Sequence, residues 1–127
     1  MDTSEVYIKM CREAKEIQKR AWEFEYGDYA HVDFGEPHTF IVSGKLINST
    51  DGKAVWLPRQ DQLQEMVYNG RNLSVFYGFR SYVMHHIVND LDDTDEADLE
   101  SWEQLWLTFV MKEKYNKKWN RKIWIKE

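Results

Sequence analysis

The period at which apolar residues recur changes twice along this chain, from that of a helix to that of a strand and back. Near the start, the apolar positions that lie three or four residues apart are Tyr7, Met10, Ala14, Ile17 and Ala21. This spacing predicts a helix that begins after Ser4 and ends before Gly27. Helical and strand periods that occupy separate blocks of a chain are typical of an α+β fold.

From Asp28 to Leu57 the period is two, and the turn sequences FGEPH and NSTDGK separate short runs rich in β-branched and aromatic residues. This pattern predicts a small antiparallel β-meander. Its first strand would carry Ala30, Val32 and Phe34 on one face, and the run KAVWL would return as its last strand.

The helical period returns after Pro58. The run RQDQLQEMVYNG predicts a short helix, and the segment around Phe76 and Phe79 predicts a second one. In LESWEQLWLTFVMKEKY, the predicted helix face consists of Leu99, Trp102, Trp106 and Phe109. We therefore expect two to three further helices packed on one face of the sheet, and a short C-terminal strand around Trp119 and Ile123.

A chain of 127 residues is long enough for one domain with its own core, so we expect residues 1–127 to form a single domain. Its six Trp, seven Tyr and six Phe cannot all be buried, and exposed Trp and Tyr are frequent anchors of protein interfaces. The net charge of −5 argues against a protein that coats nucleic acid in general. Because Cys11 is alone and no apolar signal or membrane-spanning run is present, we expect a soluble cytoplasmic protein.

The run AVWLPRQDQLQEM, residues 54–66, can be a structural joint or a functional site. Pro58 cannot donate a hydrogen bond to a β-ladder and so ends a strand, and Asp61 suits the first turn of a helix. A strand-to-helix joint therefore accounts for most of the run. It does not account for Arg59, Gln60 and Gln64, which we predict to be exposed and to form a candidate interaction surface.

His31, Asp33, Glu36 and His38 lie close together in the sequence, and imidazole with carboxylate is a ligand set for zinc or iron. On a strand His31 and Asp33 face the same side, and a turn at Gly35 can bring His38 back toward them. The spacing matches no metal motif, and exposed polar residues on a hairpin explain the pattern equally well. A metal-dependent enzyme is therefore a remote alternative, and we expect no cofactor and no catalytic residues.

The segment from Lys112 to Glu127 carries seven Lys or Arg against two Glu, interleaved with aromatic residues. Cations on phosphates, with rings stacked on bases, can hold single-stranded nucleic acid. The candidate contacts for this alternative function are Lys117, Lys118, Trp119, Arg121, Lys122 and Trp124. The interpretation that we favour is that the lysines complete a helix end and the Trp residues pack on the sheet.

The blocks VWLPRQDQLQEM and WEQLWLTFVMKEKYNKKWN, together with CREAKEIQ and GDY, resemble a family of small proteins encoded by bacteriophages and prophages of Firmicutes. The resemblance spans most of the chain, and the family has no assigned activity, cofactor or catalytic residues. The connectors NSTDGK and LDDTDEAD are longer and more polar than the family pattern. The resemblance implies a non-enzymatic accessory protein that binds a protein of the host or the phage, with binding to its own copy as one form of this function.

Overall fold

The computed structural model describes residues 1–33, 35–43, 54–68, 70–88 and 99–127. These residues form helices and two small antiparallel sheets, which confirms the predicted α+β class. The predicted turn NSTDGK, the connector LDDTDEAD and Phe34 lie outside the described residues. None of the helices in the described ranges combines the length and the apolar composition needed to cross a membrane.

The chain divides into two compact units. Unit 1 comprises Met1–Arg59 and Trp119–Trp124, and unit 2 comprises Gln60–Lys118 and Ile125–Glu127. Most of the sequence of unit 2 is therefore inserted between two segments of unit 1. The prediction that residues 1–127 behave as a single domain stays a prediction.

Helix α1 of unit 1 spans Glu5–Glu13 and is shorter than predicted. Its start is as expected, because the Ser4 hydroxyl accepts a hydrogen bond from the Tyr7 amide at 3.2 Å. The helix stops at Ala14, whose ψ of 65° is not helical. Two short 3₁₀ turns follow at Lys15–Ile17 and Ala21–Glu23. The prediction of one helix that continues almost to Gly27 is therefore wrong.

The side chain of Gln18 explains why the helix does not continue. Its amide N–H groups donate to the carbonyls of Cys11 at 2.8 Å and Trp56 at 3.0 Å, and its carbonyl accepts from the Trp56 amide at 2.8 Å. The backbone of Gln18 is extended, with φ of −66° and ψ of 141°. Tertiary bonds of this kind outweigh the small helix propensity of a short segment.

The three-stranded sheet of unit 1 consists of β1 (Tyr29–Val32), β2 (His38–Ile41) and β3 (Val55–Leu57). Both neighbours of β1 are antiparallel to it, and His31 lies opposite Thr39 on β2 and opposite Val55 on β3. The order β2-β1-β3 places β1 in the middle, whereas a simple meander has its second strand there. Ala30 and Val32 are buried, as the predicted strand face requires.

A hairpin of β4 (Lys117–Trp119) and β5 (Trp124–Lys126) confirms the predicted C-terminal strand. Trp124 is buried in unit 1, and its indole N–H donates to the carbonyl of Met10 at 2.9 Å. The rings of Trp119 and Trp124 lie 5.1 Å apart. Within unit 1, Trp124 is thus joined to α1 by a hydrogen bond from its buried ring.

Unit 2 contains α2 (Gln60–Met66), α3 (Asn72–Tyr82), a π-helical continuation of α3 (Val83–Val88) and α4 (Trp102–Tyr115). The predicted helices after Pro58 are therefore confirmed. Both α2 and α3 contact α4. Gly70 precedes α3 with a φ of +93°, a backbone conformation that glycine adopts without strain.

Helix α4 is buried through its middle. It begins where the Ser101 hydroxyl accepts a hydrogen bond from the Gln104 amide at 3.1 Å. Trp106 and Phe109 are buried as predicted, but Trp102 is 60% exposed, so its assignment to the core face is wrong. Trp102 is the first residue of the helix, and it precedes the turns that pack against the rest of unit 2.

Candidate interaction surface

The run AVWLPRQDQLQEM forms a strand-to-helix joint. Strand β3 ends at Leu57, Pro58 is buried, and α2 begins at Gln60. The Pro58 carbonyl accepts a hydrogen bond from the buried hydroxyl of Tyr7 at 2.7 Å. Pro58 ends the strand, and its carbonyl is hydrogen-bonded within unit 1. This structural role accounts for the distinctive sequence of the run.

Arg59, which was predicted to be exposed, is half-buried and hydrogen-bonded in unit 1. Its Nη1 donates to the carbonyl of Gly27 at 2.7 Å and lies 4.0 Å from the Asp28 carboxylate. Asp28 is only 1% exposed, and it also accepts from the Lys19 ammonium at 2.8 Å and the Glu25 amide at 2.9 Å. A buried carboxylate needs such partners, so Arg59 contributes to the fold.

Gln60 and Gln64 belong to α2 in unit 2, and both are half-buried. Gln64 lines a cleft in this unit, whereas Gln60 does not. The three predicted residues therefore have different surroundings, and their role as one interaction surface stays a prediction.

The cleft in unit 2 lies among α2, α3 and α4 and has a volume of about 470 Å³. Its lining residues are Asp61, Gln64, Glu65, Tyr68, Asn72, Val75, Phe76 and Trp106. They combine three aromatic rings with two carboxylates, and the described residues that line the cleft include no Lys or Arg. Clefts of this volume, with apolar walls and a few polar groups, are typical of binding sites.

Helix α3 carries apolar side chains on two faces. On the inner face Phe79 is buried, and its ring stacks on Trp106 with centroids 3.8 Å apart and 6° between the planes. The outer face, continued by the π-helix, carries Leu73, Phe76, Tyr77 and Met84, which are 64%, 56%, 57% and 48% exposed. We call these four outer residues the α3 surface.

The sequence predicted helix α3 but not its outward apolar face. A signal was present, because Leu73, Phe76 and Tyr77 recur at helical spacing while Val75 and Phe79 recur at the same spacing on another side. A surface helix of a small unit usually buries one apolar stripe. The second stripe was therefore a sign that one face of the helix is exposed.

The candidate metal ligands of unit 1 are engaged with other groups. The ring nitrogens of His31 lie 2.9 Å from the Thr39 hydroxyl and 2.8 Å from the Asp33 carboxylate. Asp33 also forms an ion pair with Arg12, and Nδ1 of His38 lies 3.0 Å from the carbonyl of Glu36. His31 and Asp33 share one side of the strand, as predicted. Across the described ranges, no three side chains of the metal-ligating types converge on one point.

The basic hairpin separates its candidate nucleic-acid contacts into three classes. Lys118, Arg121 and Lys122 are exposed, Lys117 and Trp119 are half-buried, and Trp124 is buried. A ring buried against α1 cannot stack on a base, so the assignment of Trp124 as a nucleic-acid contact is wrong. Trp124 instead donates a hydrogen bond to α1, and the favoured interpretation that the Trp residues pack on the sheet stays a prediction.

Cys11 of helix α1 is buried. Burial raises the pKa of its thiol, and the thiolate is the reactive form of cysteine. Cys11 therefore serves as a small apolar residue of the core of unit 1.

Function must be inferred from the residues of the two units themselves. Comparison of the chain with protein-family models, with curated proteins and with solved structures gives no match.

Proposed function

We propose that this protein is a non-catalytic interaction module that binds another protein through the α3 surface. The observation that carries the proposal is the row of exposed side chains at Leu73, Phe76 and Tyr77, more than half of each being accessible. Small proteins rarely expose several large apolar side chains side by side unless they bind a partner there. Aromatic side chains are also the commonest energetic anchors of interfaces.

The proposed setting is the cytoplasm of a bacterium that carries a phage or prophage. Its support is the resemblance of the blocks around Pro58 and Trp106 to a phage-encoded family. The partner is a protein of the host or the phage, or a second copy of this chain. Nucleic acid is the alternative ligand, and only the exposed Lys118, Arg121 and Lys122 favour it.

A site-specific photocrosslinker tests the proposal. The benzoyl-phenylalanine group replaces Tyr77 in one variant and Glu113, an exposed residue of α4 outside the α3 surface, in a control variant. Both variants are irradiated in a Firmicutes host and analysed by mass spectrometry. We expect discrete protein adducts from position 77 and none of the same mass from position 113.

A second variant links the adduct to the apolar surface. Combining the crosslinker at position 77 with Leu73→Ser should abolish the adduct, because the partner loses an apolar contact next to the probe. Equal labelling from both positions, or adducts to nucleic acid in place of protein, would contradict the proposal.

A further inference from the structure

The α3 surface is flanked by two exposed charges of opposite sign. Arg80 follows Phe76 by four residues on α3, so both side chains project from the same side of the helix. Glu65 lies toward the start of α3, since it lines the cleft of unit 2 together with Asn72 and Phe76. Both Arg80 and Glu65 are exposed, and neither side chain forms a hydrogen bond or an ion pair in the part of the chain that the structure describes. A partner of this surface therefore meets one cation and one carboxylate that these described residues leave unpaired.

The order of these groups along α3 makes the surface complementary to itself. Asn72 and Arg80 are separated by about 12 Å along the helix, at about 1.5 Å per residue, and Phe76 and Tyr77 lie midway between them. A twofold axis that passes between Phe76 and Tyr77 at a right angle to α3 generates a second copy whose helix runs antiparallel to the first. This rotation brings Arg80 of each copy to the Asn72 end of the other copy, where Glu65 is located.

The charges favour this antiparallel arrangement over a parallel one. In a parallel pair each charge faces its own counterpart, so Arg80 meets Arg80 and Glu65 meets Glu65. Like charges that face each other across an interface cost binding free energy. In the antiparallel pair the twofold symmetry forms the ion pair of Arg80 with Glu65 twice. The rings of Phe76 and Tyr77 then meet at the centre of the contact, where aromatic anchors contribute most.

The size of the α3 surface sets the strength of such an interaction. A large side chain has an accessible area of about 200 Å², and roughly half of each of the four is exposed, so the surface offers on the order of 400 Å² per copy. A standard interface buries about 800 Å² per partner. The apolar surface alone therefore supports only a weak, reversible dimer, and the two ion pairs at its edges decide which arrangement forms.

We propose that the α3 surface binds the same surface of a second copy of this chain, an inference that rests on the proposed function of the α3 surface. The two α3 helices are antiparallel, and Leu73, Phe76 and Tyr77 of both copies form the centre of the contact. Arg80 of each copy pairs with Glu65 of the other. An unrelated protein has no reason to carry this arrangement of charges, whereas a second copy supplies it by symmetry.

Sedimentation equilibrium of the full-length protein tests the inference. At low salt, between about 10 μM and about 1 mM protein, we expect the average mass to rise from that of one chain toward that of two. Added salt should weaken the association, because it screens exposed ion pairs. Leu73→Ser should weaken it about tenfold, because the change removes an apolar contact from both copies.

Charge reversal separates this dimer from other modes of self-association. Arg80→Glu places two carboxylates together at each edge of the contact, and Glu65→Arg places two cations there, so each variant alone should dimerise about tenfold more weakly. An equimolar mixture of the two variants restores one opposite pair at each edge. It should therefore form heterodimers about as tightly as the unmodified protein associates. The double variant Glu65→Arg with Arg80→Glu should also dimerise, because it exchanges the charges within each pair.

Glu113→Arg is the matched control for Glu65→Arg, because Glu113 is an exposed residue of α4 that does not line the cleft. We expect this variant to dimerise as the unmodified protein does. Circular dichroism spectra of all variants should match that of the unmodified protein. The mixture is a further check on folding, because a misfolded variant cannot restore the association.

Three results would overturn the inference. They are the mass of a single chain up to about 1 mM protein, equal association of the unmodified protein and the charge-reversed variants, and no heterodimer in the mixture. If the chain stays monomeric while position 77 crosslinks a different protein, only this inference fails. If position 77 gives no protein adduct in cells, the proposed function fails.

Discussion

In unit 1 the conspicuous polar side chains are bonded inward, whereas in unit 2 carboxylates and aromatic rings line an open cleft. The Asp28 carboxylate accepts from Lys19, the His31 ring is bonded to Thr39, and Gln18 bonds to Trp56, which lies 38 positions away. Phe76 and Tyr68 in unit 2 are partly exposed at the cleft. A distinctive sequence motif can thus mark a joint of the fold, while a candidate binding surface can lie on a helix without any motif.

The largest expected effect is on the buried carboxylate of unit 1. Asp28→Asn removes the charge that the Lys19 ammonium and the Arg59 guanidinium approach, and it leaves these cations partly buried without their counter-ion. We expect the free energy of unfolding to fall by about 3 kcal/mol, measured by urea denaturation. Asp33→Asn is the control, because Asp33 is 58% exposed and its ion pair should contribute about 1 kcal/mol or less. Equal losses for the two variants would show that the buried carboxylate contributes no more to stability than the exposed one.

The next effect concerns the side chain that ends α1. Gln18→Ala removes three hydrogen bonds and leaves the amide and carbonyl of Trp56 without this partner. We expect a loss of about 2 kcal/mol in the free energy of unfolding. Gln60→Ala in α2 serves as the matched control and should change stability by less than about 0.5 kcal/mol. If Gln60→Ala lowers the free energy of unfolding as much as Gln18→Ala does, the side-chain hydrogen bonds of Gln18 do not stabilise unit 1 in the way described.

Cys11 gives unit 1 a dependence on alkaline pH. Because burial raises the pKa of the folded thiol, the unfolded thiol ionises first, above about pH 9, while the folded thiol stays protonated. The unfolded state then binds fewer protons than the folded state, so stability falls by up to about 1.4 kcal/mol per pH unit above that value. Urea titrations between pH 7 and pH 10 should show a shallower decline for Cys11→Ala than for the unmodified protein. Parallel curves would contradict burial of the thiol.

In unit 2, two glycines should respond in opposite directions. Gly78 lies within α3, and a Cβ there would meet the Phe109 ring at 3.5 Å, an ordinary contact. Gly78→Ala should therefore raise the free energy of unfolding by about 1 kcal/mol, through better helix propensity. Gly70→Ala should lower it by about 1 kcal/mol, because the φ of +93° strains any residue with a Cβ. Destabilisation by Gly78→Ala would show that α3 packs more tightly than described.

The smallest expected effect is at the α3 surface. Replacing both exposed residues, Leu73→Ser with Tyr77→Ser, should change the free energy of unfolding by less than about 0.5 kcal/mol. Phe79→Ala on the inner face of the same helix should cost about 3 kcal/mol, because it opens a cavity beside Trp106. Similar losses from the two changes would mean that the α3 surface serves the fold and not a partner.

Local patterns in the sequence predicted those features that depend on neighbouring residues. The cap at Ser4, the strand end at Pro58 and the helix after it follow from backbone chemistry within a few residues. The end of α1 at Ala14 did not follow, because it depends on Gln18 bonding to Trp56, a residue 38 positions away.

The candidate site was harder to predict than the fold. Gln64 is half-buried and lines the cleft, and its role in an interaction surface stays a prediction, whereas Arg59 was grouped with it only because the two are close in the sequence. Asp61 was assigned a role in the helix start alone. The two apolar stripes of α3 indicated that one face of the helix is exposed, but periodicity does not say which of the two stripes is covered, so the exposure of Phe76 could not be predicted.

The bond between the Trp124 indole and the Met10 carbonyl joins residues 114 positions apart. During synthesis on the ribosome, Met10 emerges long before Trp124, and the whole of α2, α3 and α4 is made in between. We therefore expect unit 1 to stay incomplete until Trp124 has been made, with the Met10 carbonyl still exposed to water. Contacts between such distant positions form late and slow folding. A ribosome stalled before residue 119 should thus carry a nascent unit 1 that proteases still cleave.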